Sequence, residues 1–167
     1  MRRLLGFIVV VVILVGCGVA AIIVTKPAFA EAWFPGVFAE HHRELVRERF
    51  TLLAGHIVRG EGEQCTQFAE PEYVRLKGTE ITKLVFAPYL FWAKVGRLTE
   101  ADVRIDKINL GPDRRTAEVE YSLHYGNAWH AQKQPMKWVR AGGQWYLESA
   151  PLLTGQDGTS LMPGGGW

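Results

Sequence analysis

"TAEVEYSLHY", Thr116 to Tyr125, alternates strictly between apolar and polar residues. Ala117, Val119, Tyr121, Leu123 and Tyr125 fall on one side of an extended chain, with Glu118, Glu120, Ser122 and His124 on the other. Successive strand side chains point to opposite faces, so the pattern predicts an antiparallel strand with one face in a core and one in water.

The flanking segments extend this strand into a meander. "DVRIDKINL" alternates at Val103 and Ile105 and resumes at Ile108 and Leu110, a slip of phase that predicts a bulge, and Gly111-Pro112-Asp113 makes the turn that follows. Beyond Tyr125, Gly126-Asn127 reverses the chain into "AWHAQKQPMKWVR", and Ala141-Gly142-Gly143 reverses it again into "QWYLES". The expectation is four strands, with Pro135 at an edge or a bulge of the third.

Upstream the apolar period changes to that of helices. Val46, Phe50, Leu53 and Ile57 recur at helical spacing, with Ala39 and His42 on the same stripe, which predicts an amphipathic helix over Val37 to Arg59. His42 there reads as a satisfied or boundary histidine. Gly60 and Gly62 end that helix. "EGEQCTQFAEPEYVRLKG" predicts a short second helix stopped before Pro71, with "EYVRL" as a turn or brief strand. Thr79 caps a third helix through "EITKLVFAPYLFWAKVG", which Pro88 kinks or restarts and Gly96 stops.

The segment before these helices is of a different kind. Leu4 to Val24 carries no charge, and its 21 residues span about 30 Å as a helix, the thickness of a bilayer's hydrocarbon layer. Arg2 and Arg3 before it place the N-terminus in the cytoplasm and the rest of the chain on the periplasmic or outer side of the inner membrane. Leu14-Val15-Gly16-Cys17 also resembles a lipoprotein processing site, and Ala28-Phe29-Ala30 an A-x-A cleavage site. The run stays apolar from Gly18 to Val24 where an acylated cysteine is normally followed by a polar tether, so a retained membrane helix is the better reading, with Gly16, Cys17 and Gly18 as a notch for helix packing.

The chain thus divides into a transmembrane anchor (1–26), an interfacial linker (27–36) with Trp33 and Phe34 at the membrane surface, a folded domain (37–150) and a tail (151–167). The tail is Gly-rich, and its Trp167 is a candidate partner contact.

Charge and cysteine usage exclude several classes. The formal charge is +2, but Arg2, Arg3 and Lys26 flank the apolar run; without them sixteen basic residues face seventeen acidic ones. A near-neutral domain lacks the footprint of a nucleic-acid binder. Cys17 and Cys65 lie in different segments and give neither a disulfide framework nor a zinc spacing, and the histidines lie at no metal-ligand spacing. No cofactor-binding loop is present, since "MPGGGW" neither follows a strand nor opens a helix.

Three helices on a curved antiparallel sheet make an α+β domain in which the helices cover the concave face. The long first helix, "GEQCTQFAEPEYV", "TEITKLVFAPYLFWAKVG" and the closing "KWVRAGGQWYLES" resemble the cone-shaped nuclear-transport-factor-2-like superfamily, over Val37 to Ser149. The resemblance implies a cone that hosts isomerases, binding modules and membrane-tethered scaffolds alike. Isomerase-like members work with a carboxylate inside the cone, and here the inward positions of the second strand carry none, while Asp102, Asp106 and His124 have the parity of water-facing residues.

Tyr89, Trp92, Tyr121, Tyr125 and Trp138 are the candidate lining of an apolar pocket, against the plainer reading that aromatics fill the cone. The expectation is a single-pass, membrane-anchored, non-catalytic accessory or scaffolding subunit of a secretion, transport, respiratory or photosynthetic complex. Its partners would be membrane lipid and other membrane-protein subunits, with no cofactor and no metal. The alternatives are an extracytoplasmic binder of a lipid or other hydrophobic small molecule and, behind it, an isomerase- or dehydratase-like enzyme.

Overall fold

The computed structural model describes residues 35–148. The expected membrane helix with its Gly16-Cys17-Gly18 notch, the interfacial Trp33 and Phe34, and Trp167 of the tail lie outside the described residues. Among the described residues no helix is long and apolar enough to cross a membrane. The chain divides into two units at His41/His42; of the first, only the opening turns of one helix are described, and the contacts below belong to the second.

Helix α1 spans Pro35–Val58. It starts earlier than the sequence suggests and takes Pro35 and Gly36 from the linker; proline suits a first helical position, where its missing N–H would have had no partner. His42, Val46, Phe50 and Leu53 are buried along one stripe, as the spacing requires. His42 accepts a hydrogen bond at Nε2 from Arg140 Nη1 at 3.2 Å and meets the Trp145 ring edge-on.

The short α2, Gly62–Cys65, runs into a 3-10 turn, Thr66–Phe68. "EYVRL" then departs from expectation: it is neither turn nor strand but most of α3, Pro71–Lys77, which buries Tyr73. Pro71, read as a stop, opens this helix for the same reason that Pro35 opens α1. Gly78, at φ +82, ends α3 and serves as the N-cap of α4, Thr79–Val95. Thr79 is therefore the first helical residue rather than the cap, and Thr82 Oγ1 donates to the Gly78 carbonyl instead. Helix α4 continues unbroken through Pro88. Proline deprives only the Leu84 carbonyl of a partner, and Leu84 is exposed, so water can replace the bond.

After a 3-10 turn at Glu100–Asp102 the sheet comprises β1, Val103–Leu110; β2, Thr116–Tyr125; β3, Ala128–Ala131; β4, Met136–Ala141; and β5, Gln144–Leu147. Its order is β1-β2-β4-β5, all antiparallel, with β3 also on β2. Four strands were expected and five are found, because the third breaks ahead of Pro135, which has no N–H for the ladder. Its first half, β3, pairs with Ser122 to Tyr125, and its second, β4, with Thr116 to Val119. The three expected helices become four α-helices and two 3-10 turns, since the segment after Gly60 holds two helices rather than one.

The bulge is where the phase slip places it. Ile105 faces Tyr121 and Lys107 faces Glu120, so Asp106 is the extra residue. Both short hairpins use paired left-handed residues, Gly126 with Asn127 and Gly142 with Gly143, the combination that matches the twist of two-residue turns. The core joins the α1 stripe, Cys65, Phe68 and Phe86 to Ile108, Ala117, Val119, Trp138, Trp145 and Leu147 of the sheet.

Candidate functional site

Helix α4 positions the features that distinguish this domain, because it is apolar on two faces. Thr82, Phe86, Tyr89 and Ala93, at spacings of four, three and four, face the core; all but the half-buried Tyr89 are buried. Ile81, Leu84, Pro88, Phe91 and Val95, at spacings of three, four, three and four, form a second stripe, and every one but the half-buried Pro88 is exposed, Leu84 at 65 % and Phe91 at 60 %. A helix that is apolar all round is normally buried all round. Trp92 flanks the exposed stripe and meets Phe91 edge-on, with ring centroids 5.9 Å apart. A contiguous run of this kind marks an interaction surface more often than scattered exposed residues do.

Behind the inner face of α4 lies an apolar cavity of about 60 Å³. Phe50, Leu53 and Ile57 of α1, Tyr89 and Trp92 of α4, and Tyr121 and Leu123 of β2 contribute to its lining. Pockets that hold drug-sized ligands are roughly 300–1,000 Å³. Burial raises the pKa of Tyr89 and, with the neighbouring Tyr89 phenol adding to it, raises that of Tyr121 far more. Both phenols therefore stay protonated at physiological pH and can only donate or weakly accept a hydrogen bond; the lining holds no carboxylate or imidazole to take up a proton.

Of the five residues read as a pocket, the structure brings Tyr89, Trp92 and Tyr121 together. The other two sit elsewhere. Trp138 is fully buried within the core, opposite Ala117 and Leu147, and its indole N–H has no hydrogen-bond partner among the described residues. Tyr125 is a correction to the inward set of β2: it is 47 % exposed and stacks on His130 at 4.0 Å. Pairing with β1 ends at Leu123, so the last turn of the alternation projects beyond the part of the sheet that the core covers.

The polar residues of β1 and β2 gather on the opposite face. Asp102 accepts from the Thr99 hydroxyl and backbone N–H and contacts His124 Nδ1 at 3.1 Å, and these bonds, led by the Thr99 hydroxyl, lower its pKa. Asp106, on the bulge, takes the hydroxyl of the buried Ser122 and the guanidinium of Arg104, with the same effect on its pKa. Arg104 also lies 4.5 Å over the Trp129 ring, which sits beside His124. None of Asp102, Asp106 and His124 lines the cavity. Cys65 is wholly buried, and desolvation pushes its thiol up to about 11, which leaves it a packing residue.

The outer stripe of α4 is the feature that sequence reading missed. Its signal is present as a three-four repeat running from Ile81 to Val95, beside a second repeat, from Thr82 to Ala93, that faces the core.

The described residues form an α+β domain of four α-helices and a five-stranded antiparallel sheet. No protein-family model matches the chain, and comparison finds no curated protein and no solved structure similar to it.

Proposed function

We propose that this chain is a single-pass membrane protein whose outward-facing domain, a cone of the nuclear-transport-factor-2-like kind, serves as a non-catalytic accessory or scaffolding subunit of a larger membrane or envelope complex. The observation that carries the reading is the exposed apolar stripe of α4, from Ile81 to Val95. A contiguous exposed apolar run marks a surface that another molecule covers, and a subunit of an assembly supplies such a cover. The uncharged run from Leu4 to Val24 supports the anchor, since it has the length and composition of a membrane span.

Two features favour a scaffold over the other functions that such a cone supports. The cavity of about 60 Å³ has room for a few water molecules, far less than an acyl chain occupies. Its lining offers two protonated phenols and no proton acceptor, whereas isomerase chemistry needs a base within reach of the substrate.

The test is purification of the full chain from native membranes in mild detergent, followed by identification of every polypeptide that comes with it. At least one other membrane protein is expected in fixed proportion. Recovery of this chain with no second kind of polypeptide sinks the accessory-subunit reading.

A further inference from the structure

The outer stripe of α4 has a helix-pairing pattern with opposite charges flanking its two ends. Its members recur at three and four residues, the seam spacing of paired helices, over about 21 Å from Ile81 to Val95. The residues flanking the seam on one side are Glu80, Ala87 and Lys94, seven apart, with an acid at the N-terminal end, a base at the C-terminal end and a small residue midway. In an antiparallel pair such flanking positions face each other across the two-fold axis. An axis beside Ala87 sets Glu80 against the second copy's Lys94, Ala87 against its counterpart, and Ile81 and Leu84 against the second copy's Phe91 and Pro88.

The charges are exposed enough to make that contact. Glu80 takes Lys83 Nζ at 2.9 Å, yet its side chain is 85 % exposed, and Lys94 is exposed at the other end of the helix. In a parallel pair these positions would lie on opposite sides of the seam, facing Val85 and Trp92 of the second copy, and the two charges would not meet. Ala87 at the crossing point allows the two backbones to approach where a larger side chain would hold them apart.

We infer that the occupant of this face is a second copy of the chain, in an antiparallel α4–α4 contact with its two-fold axis beside Ala87. The inference rests on the reading of this face as a protein-docking surface, and it needs neither the membrane anchor nor another kind of subunit.

Disulfide trapping in native membranes, using the full chain with Cys17 replaced by Ser, tests it. Cys65 is buried and can remain. Ala87→Cys is expected to give a disulfide-linked dimer under mild oxidation. Glu80→Cys and Lys94→Cys are expected to cross-link when co-expressed and not when expressed singly, while Lys133→Cys, exposed on the loop before Pro135, stays monomeric. Adding Phe91→Glu to Ala87→Cys should reduce the dimer on the order of tenfold or more, because it places a carboxylate in the seam. Phe91 is 60 % exposed and lies outside the buried core cluster, so folding is expected to survive the change.

A monomeric Ala87→Cys overturns the inference, and is the result expected if lipid or a different subunit covers the face. Self-linking of Glu80→Cys alone overturns the antiparallel register, and equal trapping of Lys133→Cys reduces it to random collision. A trapped dimer that purifies without any other polypeptide would uphold the self-contact while sinking the accessory-subunit role.

Discussion

Deleting Asp106 should leave the sheet standing, whereas deleting Glu120 should destroy it. Asp106 is the one extra residue of β1: without it Ile105 still faces Tyr121, Lys107 still faces Glu120, and Ile108 and Leu110 stay on the core side. The residue's only tie to the interior is the hydroxyl of Ser122, which is 3 % exposed, so its deletion leaves one buried hydroxyl unpaired at a cost of about 1–3 kcal/mol. Near a domain's midpoint that is a fall in Tm of roughly 4–12 °C. Replacing Ser122 by Ala in the same chain removes the unpaired group and should restore most of it. Glu120 has no such slack. Its loss turns either Ala117 and Val119 or Tyr121 and Leu123 to the outer face, giving up about 2–5 kcal/mol of apolar burial and driving polar side chains inward for several kcal/mol more. That approaches the roughly 5–15 kcal/mol by which a whole domain is stable. Thermal unfolding of the full chain in mild detergent, followed by the near-ultraviolet circular dichroism that the buried Trp138 and Trp145 supply, separates the cases. Comparable losses from the two deletions, or no recovery on adding Ser122→Ala, would show that Asp106 is not a bulge.

The two phenylalanines of α4, five residues apart, should respond oppositely to alanine: Phe86→Ala is expected to cost about 3–5 kcal/mol in a urea titration because the ring is fully buried, and Phe91→Ala less than about 0.5 kcal/mol at protein concentrations too low for self-association. Asp102 has its pKa lowered in the folded state, so its contribution is complete above the unfolded aspartate pKa of about 3.9 and is lost as pH falls through the lower folded value; Asp102→Asn should flatten the acid limb of a Tm-against-pH profile, and an unchanged limb would refute the assignment. In the Cys17→Ser background, Cys65 should resist a thiol reagent at pH 8 and react only when denaturant unfolds the domain; rapid labelling of the native protein would contradict its burial.

What the sequence made legible was whatever a local period or a turn dipeptide specifies. The alternation of β2, the slip that places the bulge, and the Gly126-Asn127 and Gly142-Gly143 turns each encode their geometry within a few residues. The buried stripe of α1 is equally local. Proline misled in two directions: Pro71 was read as a stop when it opens α3, and Pro88 as a break when the exposed turn around it lets α4 continue. Pocket membership was harder still, since Tyr121 and Tyr125 share a face of β2 and differ only in how far the neighbouring strand extends. The outer stripe of α4 was illegible for a related reason. A helix apolar on two sides looks merely hydrophobic until one side is known to be filled.

Two outer edges of the sheet, those of β5 and β1, are protected against further strands. Beside β5, Leu147 forms a parallel bridge with Ala69, and Arg49, stacked 4.4 Å over Phe68, donates to the carbonyls of Trp145 and Gln67. At the other edge β1 carries the irregularity at Asp106 and the charged side chains of Arg104 and Lys107. Proteins use such devices to stop strands from one molecule adding to the next and growing into fibrils. Two edges are thereby withheld from pairing between molecules, which leaves β3, Ala128–Ala131, with only β2 beside it, as the edge to which another strand could add.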